Sequence, residues 1–142
     1  MFELIAIVCA GLFAGAAVYV SFVEHPARVG CGTELALKEF GPSYHRGTIM
    51  QASLAIIGLI AAVIGWLLTN SVMELVGGLL LGANVPYTLI AILPTNKRLL
   101  DPHLAPRSPE AAELLRRWGR LHALRTAGGL LAFLLLLVHL VV

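Results

Sequence analysis

The chain has 142 residues, of which 58% are hydrophobic and 13% are charged, and its mean hydropathy is +0.87. This balance lies outside the usual range of soluble domains and predicts an integral membrane protein. Because a spanning helix needs roughly 20 residues, the length allows four such helices in a single domain, residues 1–142. The net charge of +2, without a basic patch that contains interleaved aromatic residues, argues against nucleic acid as a partner.

The first apolar segment, residues 4–23, carries no charge and is long enough to cross a bilayer. A cleaved signal peptide is the alternative, but a basic region is missing before this segment and the apolar run is too long for one. Helical spacing places Gly11, Gly15 and His25 on one face. Because glycines favour close packing of membrane helices, this face predicts that His25 points into a bundle.

After Pro26 the composition becomes polar and rich in glycine, which predicts a loop as far as Ser43. Residues 33–40 within it predict a short interfacial helix. The second spanning helix is predicted over residues 44–68. Its smaller and more polar face includes Tyr44 and Gln51.

A three-residue connection requires the third helix, residues 72–93, to lie antiparallel beside the second. Its polar stripe includes Asn84 and Thr88, with Pro86 placed to weaken the backbone hydrogen bonds nearby. Asn84 falls near the middle of the predicted membrane layer. A side-chain amide at that depth needs a partner, which is either another helix or a bound molecule.

The last predicted span, residues 119–142, follows an amphipathic helix over residues 110–121 in the third loop. Trp118, His122 and Arg125 lie on one face of this helix together with small residues. The fold prediction is therefore an all-α integral membrane four-helix antiparallel bundle with short interfacial helices in loops one and three.

Basic residues are concentrated in the first and third loops, whereas the second loop has none. They are Arg28, Lys38 and Arg46 in the first, and Lys97, Arg98, Arg107, Arg116, Arg117 and Arg120 in the third and its flank. The positive-inside rule places these loops in the cytoplasm and both termini outside, as expected in a bacterial inner membrane. The cytoplasmic ends of the four helices then carry His25, His45, Asn96 and His122, whereas His139 lies far away.

Three histidines that converge at one end of a bundle could bind a transition metal, copper or iron, or a haem. Alternatively, one histidine transfers protons to or from an organic substrate. The third interpretation is that His25, His45 and His122 are interfacial residues that bind lipid phosphate and the ends of helices. No short ligand spacing in the sequence decides between these interpretations.

Other singled-out residues also have two interpretations each. Arg125 either pairs with Glu24 or a substrate oxyanion, or extends to the lipid headgroups. Asn84 either holds the bundle together or contacts a ligand. Trp118 is an interface anchor or a stacking wall for an aromatic substrate. Glu74 is expected to be solvated.

These residues resemble the family of small four-helix membrane proteins grouped with the anthrone oxygenases. The resemblance rests on His25-Pro26-Ala27-Arg28, Tyr44 and Arg46 with Gln51, Pro94-Thr95-Asn96 with Leu99, and Trp118 followed by His122 and Arg125. It implies a membrane-embedded bundle and, from the characterised fungal members, oxidation of a polyketide anthrone to an anthraquinone by molecular oxygen, without an established cofactor requirement. In such a scheme a histidine would remove a proton from carbon and an arginine would hold the enolate oxygen. A metal-dependent version would use the same histidines as ligands.

We therefore predict an oxygenase-like protein that acts on a small hydrophobic substrate. The predicted catalytic residues are His25, His45, His122, Arg28 and Arg125; the predicted ligand-binding residues are Tyr44, Gln51, Asn84, Thr88, Asn96 and Trp118; and the predicted metal ligands are His25, His45 and His122. The expected partners are the lipid bilayer, a small hydrophobic molecule and, in a homo-oligomer, further copies of the chain. The alternatives are a non-catalytic membrane protein that binds haem, a metal, a quinone or a lipid for a partner enzyme, and a small transporter.

Overall fold

The computed structural model of the chain describes residues 1–141, so the last residue of the predicted fourth span lies outside the described residues. Within this range the chain forms four long helices and no strand. They are α1 (Phe2–Gly30), α2 (Thr33–Thr69), α3 (Val72–Leu99) and α4 (Pro109–Val141). Each is long and apolar enough to cross a membrane. The predicted all-α, four-helix integral membrane fold is confirmed.

The four helices form a ring in which each helix packs against two neighbours. α1 contacts α2 and α4, and α3 also contacts α2 and α4, whereas diagonal helices scarcely touch. The turn between α2 and α3 is very short because Asn70 adopts a left-handed conformation, with φ of 57°. Asparagine tolerates this conformation better than most residues with a side chain.

The helices extend beyond the predicted spans, and two of them contain a wide π-helical turn, Val20–Glu24 in α1 and Thr88–Ile92 in α3. Each turn ends two residues before a proline, which is Pro26 in α1 and Pro94 in α3. Proline clashes with the carbonyl four residues earlier in a regular helix, so the wider turn lets each helix continue. Both turns border the cavity described below.

The two amphipathic segments that were predicted as short interfacial helices are helical but not separate. Residues 33–40 form the beginning of α2, which passes through Pro42 without ending. Residues 110–121 likewise form the beginning of α4. The helices that carry the site are therefore continuous from the loops into the bundle.

The interior contains two apolar clusters. One consists mainly of small residues, which lets the helices approach closely, and includes Ala6, Ala10, Phe13, Ala17, Ala55, Ala61, Ala62, Leu81, Ala132 and Leu136. The other is larger in side-chain size and consists of Ala36, Phe40, Ile92, Leu99, Leu115 and Trp118. Polar side chains lie between the clusters, and they form the candidate site.

A second polar group lies at the opposite end of the bundle, around Glu74. The prediction that Glu74 is solvated is wrong, because the residue is fully buried at 0% exposure. The hydroxyl of Thr69 donates a hydrogen bond to its Oε2 at 3.2 Å. Nε2 of His139 lies 3.6 Å from this same Oε2 and 3.6 Å from Oε1 of Glu3. The space for the carboxyl group exists because Gly65 has no side chain, since a Cβ there would overlap Oε1 of Glu74.

Replacing Gly65 by alanine is therefore expected to destabilise the bundle by about 1–3 kcal/mol, because the displaced Glu74 carboxyl group would lose a buried partner. Thermal unfolding in detergent measures this change. Gly15→Ala is the matched control, since nothing lies within 4 Å of a Cβ at Gly15. The control should leave stability unchanged or raise it slightly through helix propensity. Equal stability of the two variants would contradict the conclusion that Gly65 leaves the space for the Glu74 carboxyl group.

Candidate functional site

A cavity of about 120 Å³ lies inside the bundle between the two apolar clusters, with walls from all four helices. The predicted site residues that line it are Arg28, Tyr44, Gln51, Asn84, Thr88, Asn96, Trp118, His122 and Arg125. The structure thus brings together most of the predicted site residues. Two others, His25 and His45, do not line the cavity.

His122 on α4 is 3% exposed and is held by a chain of hydroxyl groups. Its Nδ1 lies 3.1 Å from Oγ of Ser21, and that Oγ lies 2.8 Å from Oγ1 of Thr126. The Thr126 hydroxyl in turn donates to the carbonyl oxygens of Ala17, at 3.2 Å, and of His122, at 3.0 Å.

We assign the tautomer of His122 from the direction of this chain. Either Ser21 or Thr126 can be the donor between them; because a carbonyl only accepts, we place the Thr126 hydrogen on a carbonyl and the Ser21 hydrogen on Thr126. Ser21 then has no hydrogen left for the imidazole, so Nδ1–H of His122 donates to Ser21. We therefore assign the hydrogen to Nδ1 and a free electron pair to Nε2, which makes no hydrogen bond within residues 1–141.

Arg125 lies three residues further along α4 and also lines the cavity. Its guanidinium carbon is 5.1 Å from the ring centroid of Phe13, and its Nε is buried without a hydrogen-bond partner. The pairing with Glu24 that we considered from the sequence is not formed, because Glu24 pairs with Arg28. In the described part of the chain, no carboxylate forms a salt bridge with Arg125, so its charge faces the cavity without compensation.

Arg28 differs from Arg125 because its charge is compensated. It forms ion pairs with Glu24 and with Glu39, the latter at 2.8 Å between Nε and Oε2. The Ser43 hydroxyl donates to Glu24 at 2.6 Å and joins the same network. Arg28 is 7% exposed and lies at one edge of the cavity. This network ties the end of α1 to α2.

Aromatic rings form one wall of the cavity. Trp118 stacks on His122 with ring centroids 4.7 Å apart, and it meets Phe40 edge-on at 5.4 Å. Phe40 in turn stacks on Tyr44 at 5.8 Å. The Trp118 Nε1–H donates to Oδ1 of Asn96 at 2.8 Å. At 6% exposure Trp118 is a fixed wall of the cavity rather than an interface anchor.

Three side-chain amides line the cavity. Asn96 accepts the hydrogen bond from Trp118, and the other two differ in their hydrogen bonding. Asn84 donates to the carbonyls of Leu80 and Leu81 at 3.0 and 3.2 Å, within its own helix. The Thr88 hydroxyl donates to the backbone carbonyl of Asn84 at 2.7 Å. By contrast, Oε1 of Gln51 is buried and has no hydrogen-bond partner. Gln51 therefore offers an acceptor to a molecule in the cavity.

His25 packs behind Trp118, with ring centroids 5.0 Å apart. Its Nε2 lies 2.7 Å from the position that a Cβ of Gly119 would occupy, so a glycine is needed for this packing. His45 is exposed, because successive helical residues are rotated by about 100° and Tyr44 takes the inward position. The predicted three-histidine cluster is thus not formed. Within residues 1–141, no group of three His, Cys, Asp or Glu side chains is placed to hold a metal ion.

Sequence reasoning missed Ser21, Thr126 and Gly119. Two of them had a detectable signal, because Ser21 lies four residues before His25 and Thr126 lies four residues after His122. Residues four apart share a helix face, so both hydroxyls belonged to faces already singled out. For Gly119 the sequence carries no such signal, since its role depends on the approach of α1.

The fold and the cavity define a membrane-embedded four-helix protein with an aromatic-walled interior site that contains an imidazole and an uncompensated guanidinium. A family model described as anthrone oxygenase matches residues 40–135, about two thirds of the chain, and the chain belongs to this family. The predicted resemblance is confirmed. The match includes His122 and Arg125 but not the segment around His25. Searches of curated proteins and of solved structures found nothing that matches the chain.

Proposed function

We propose that this protein is a membrane oxygenase that oxidises a small lipophilic aromatic ketone with an acidic C–H group, as an anthrone has. The family supports oxygenase-like chemistry in general. The observation that carries the proposal is the pairing of His122, whose Nδ1 is occupied by the Ser21–Thr126 chain, with the uncompensated Arg125 in one cavity.

In the proposed reaction, His122 removes a proton from the substrate carbon through Nε2. The resulting enolate carries its negative charge on oxygen, which the Arg125 guanidinium stabilises. Molecular oxygen oxidises the electron-rich carbon, and a CH₂ group becomes a carbonyl. One oxygen atom enters the product and the other leaves as water, so one O₂ is consumed per substrate molecule.

The aromatic wall and the amides give the substrate its orientation. The Tyr44 ring and the edge of Trp118 provide aromatic surface for a ring system, and offset or edge-to-face aromatic contacts contribute about 0.5–1.5 kcal/mol beyond the area that is buried. Gln51 accepts a hydrogen bond from a phenolic hydroxyl group through its free Oε1. These contacts are typical of a site for an aromatic molecule with a few polar groups.

We also propose that the cavity lies toward the cytoplasmic side of a bacterial inner membrane, with both termini outside. The support is the concentration of basic residues in loops one and three. Cysteines introduced into loop three and near the N-terminus, tested with a membrane-impermeant thiol reagent on intact cells, would check this orientation. Labelling of the loop-three cysteine alone would contradict it.

The function is tested by oxygen uptake of the purified protein in lipid vesicles, with anthrone as the substrate. We expect uptake above the spontaneous rate, with one O₂ consumed and one anthraquinone formed per anthrone. Anthrone dimethylated at the reactive carbon is the matched control, because it keeps the rings but has no proton to lose. Uptake no faster than in protein-free vesicles would contradict the proposal.

Copper and iron content of the same sample tests the predicted metal site.

A further inference from the structure

A groove of about 630 Å³ runs between α1 and α2 on the outside of the bundle. Its lining and that of the cavity have four residues in common, which are Val20, Ser43, Gly47 and Gln51. The two spaces therefore adjoin along one stretch of α2.

Gly47 marks the opening between them. Ser43, Gly47 and Gln51 are spaced four residues apart, so they form one row along α2 that separates the groove from the cavity. The middle position of this row has no side chain, and nothing lies within 4 Å of where its Cβ would be. The row of side chains that separates the groove from the cavity therefore has a gap at Gly47.

The groove faces the membrane at one end and the polar boundary at the other. Tyr19 and Met50, which line it, are 54% and 47% exposed. Glu24, Glu39 and Arg46 line its other end. A molecule with an apolar ring system and a polar edge matches this gradient.

The volume of the cavity also indicates that a substrate uses both spaces. The cavity of about 120 Å³ is smaller than the roughly 300–1,000 Å³ of a usual small-molecule site. A substrate of three fused rings therefore needs part of the adjoining groove.

We propose that the groove between α1 and α2 is the route by which the lipophilic substrate enters the cavity directly from the bilayer, and that the substrate passes into the cavity at Gly47. This inference rests on the proposed function, because it assumes that the cavity is where the substrate binds. It adds a route, a source for the substrate, and residues that control the rate of entry.

The test measures ligand entry by stopped-flow quenching of Trp118 fluorescence, in a Trp66→Phe background so that one tryptophan reports. The protein is in phosphatidylcholine vesicles and the probe is 1-hydroxyanthraquinone, a lipophilic product-like molecule. Gly47→Leu is expected to slow association by about tenfold, because the leucine side chain narrows the passage between the groove and the cavity. In wild-type protein the association rate should follow the mole fraction of the probe in the lipid.

Gly15→Leu is the matched control, since Gly15 also faces open space but lines neither the groove nor the cavity. It should have wild-type rates. Ala16→Phe narrows the groove from α1 and should slow entry as well, which protects the test if Gly47→Leu does not fold. Unchanged rates in folded Gly47→Leu, rates that follow the aqueous probe concentration, or no binding to wild-type protein would each overturn the route. Slowed entry without oxygen uptake on anthrone would leave the route standing and reject the proposed function alone.

Discussion

Replacing His122 by glutamine is expected to lower the turnover number about 100-fold to 10,000-fold, the usual contribution of a positioned general base. The stacking of the ring on Trp118 and the Nδ1 contact with Ser21 show that His122 has a defined orientation, which such a base requires. Initial rates of oxygen uptake at saturating anthrone measure the effect. Binding of 1-hydroxyanthraquinone should change far less than the rate.

Two controls separate a base from a structural histidine. His45→Gln, which changes an exposed residue outside the cavity, should have wild-type activity. Thr126→Val removes the hydroxyl that fixes the direction of the chain, so turnover should fall part of the way and its pH profile should shift relative to wild type. A His122→Gln variant that retains wild-type turnover would exclude His122 as the base.

Replacing Arg125 by methionine is expected to lower turnover by about 100-fold to 1,000-fold, the loss typical when one group that stabilises a developing oxyanion is removed. The same change should raise the thermal stability of the bundle. An uncompensated buried charge is costly, and methionine fills similar space without one. Opposite effects on stability and activity are the signature of a residue kept for function.

Turnover and thermal unfolding are measured on the same preparation of the Arg125→Met protein. Arg125→Lys should restore part of the turnover, because it keeps the charge but not the planar geometry. Arg117→Met is the matched control, since Arg117 is an exposed arginine that lines neither the cavity nor the groove. If Arg125→Met both loses stability and keeps its turnover, Arg125 is a structural residue.

Much of this site could be predicted because helical periodicity places residues on faces. Trp118, His122 and Arg125 were expected on one face of the fourth helix, and all three line the cavity. Asn84 and Gln51 were found in the same way, as polar residues in apolar segments. The sequence left open whether Asn84 shares a cavity with the histidines, and the structure places Asn84 and His122 in the same one.

The number of helices, their order and their polar faces could be predicted from the sequence, because each follows from the length and spacing of apolar residues in a single helix. Which groups meet across helices depends on the packing of the whole bundle. In the packed bundle, Arg28 has carboxylate partners and Arg125 has none among the described residues. The same packing buries Glu74 against Gly65, leaves His45 exposed and brings Ser21 within hydrogen-bond distance of Thr126. The physical reason is that spacing defines a face relative to the axis of its own helix. The rotation of that helix against its neighbours depends on how side chains from all four helices pack together.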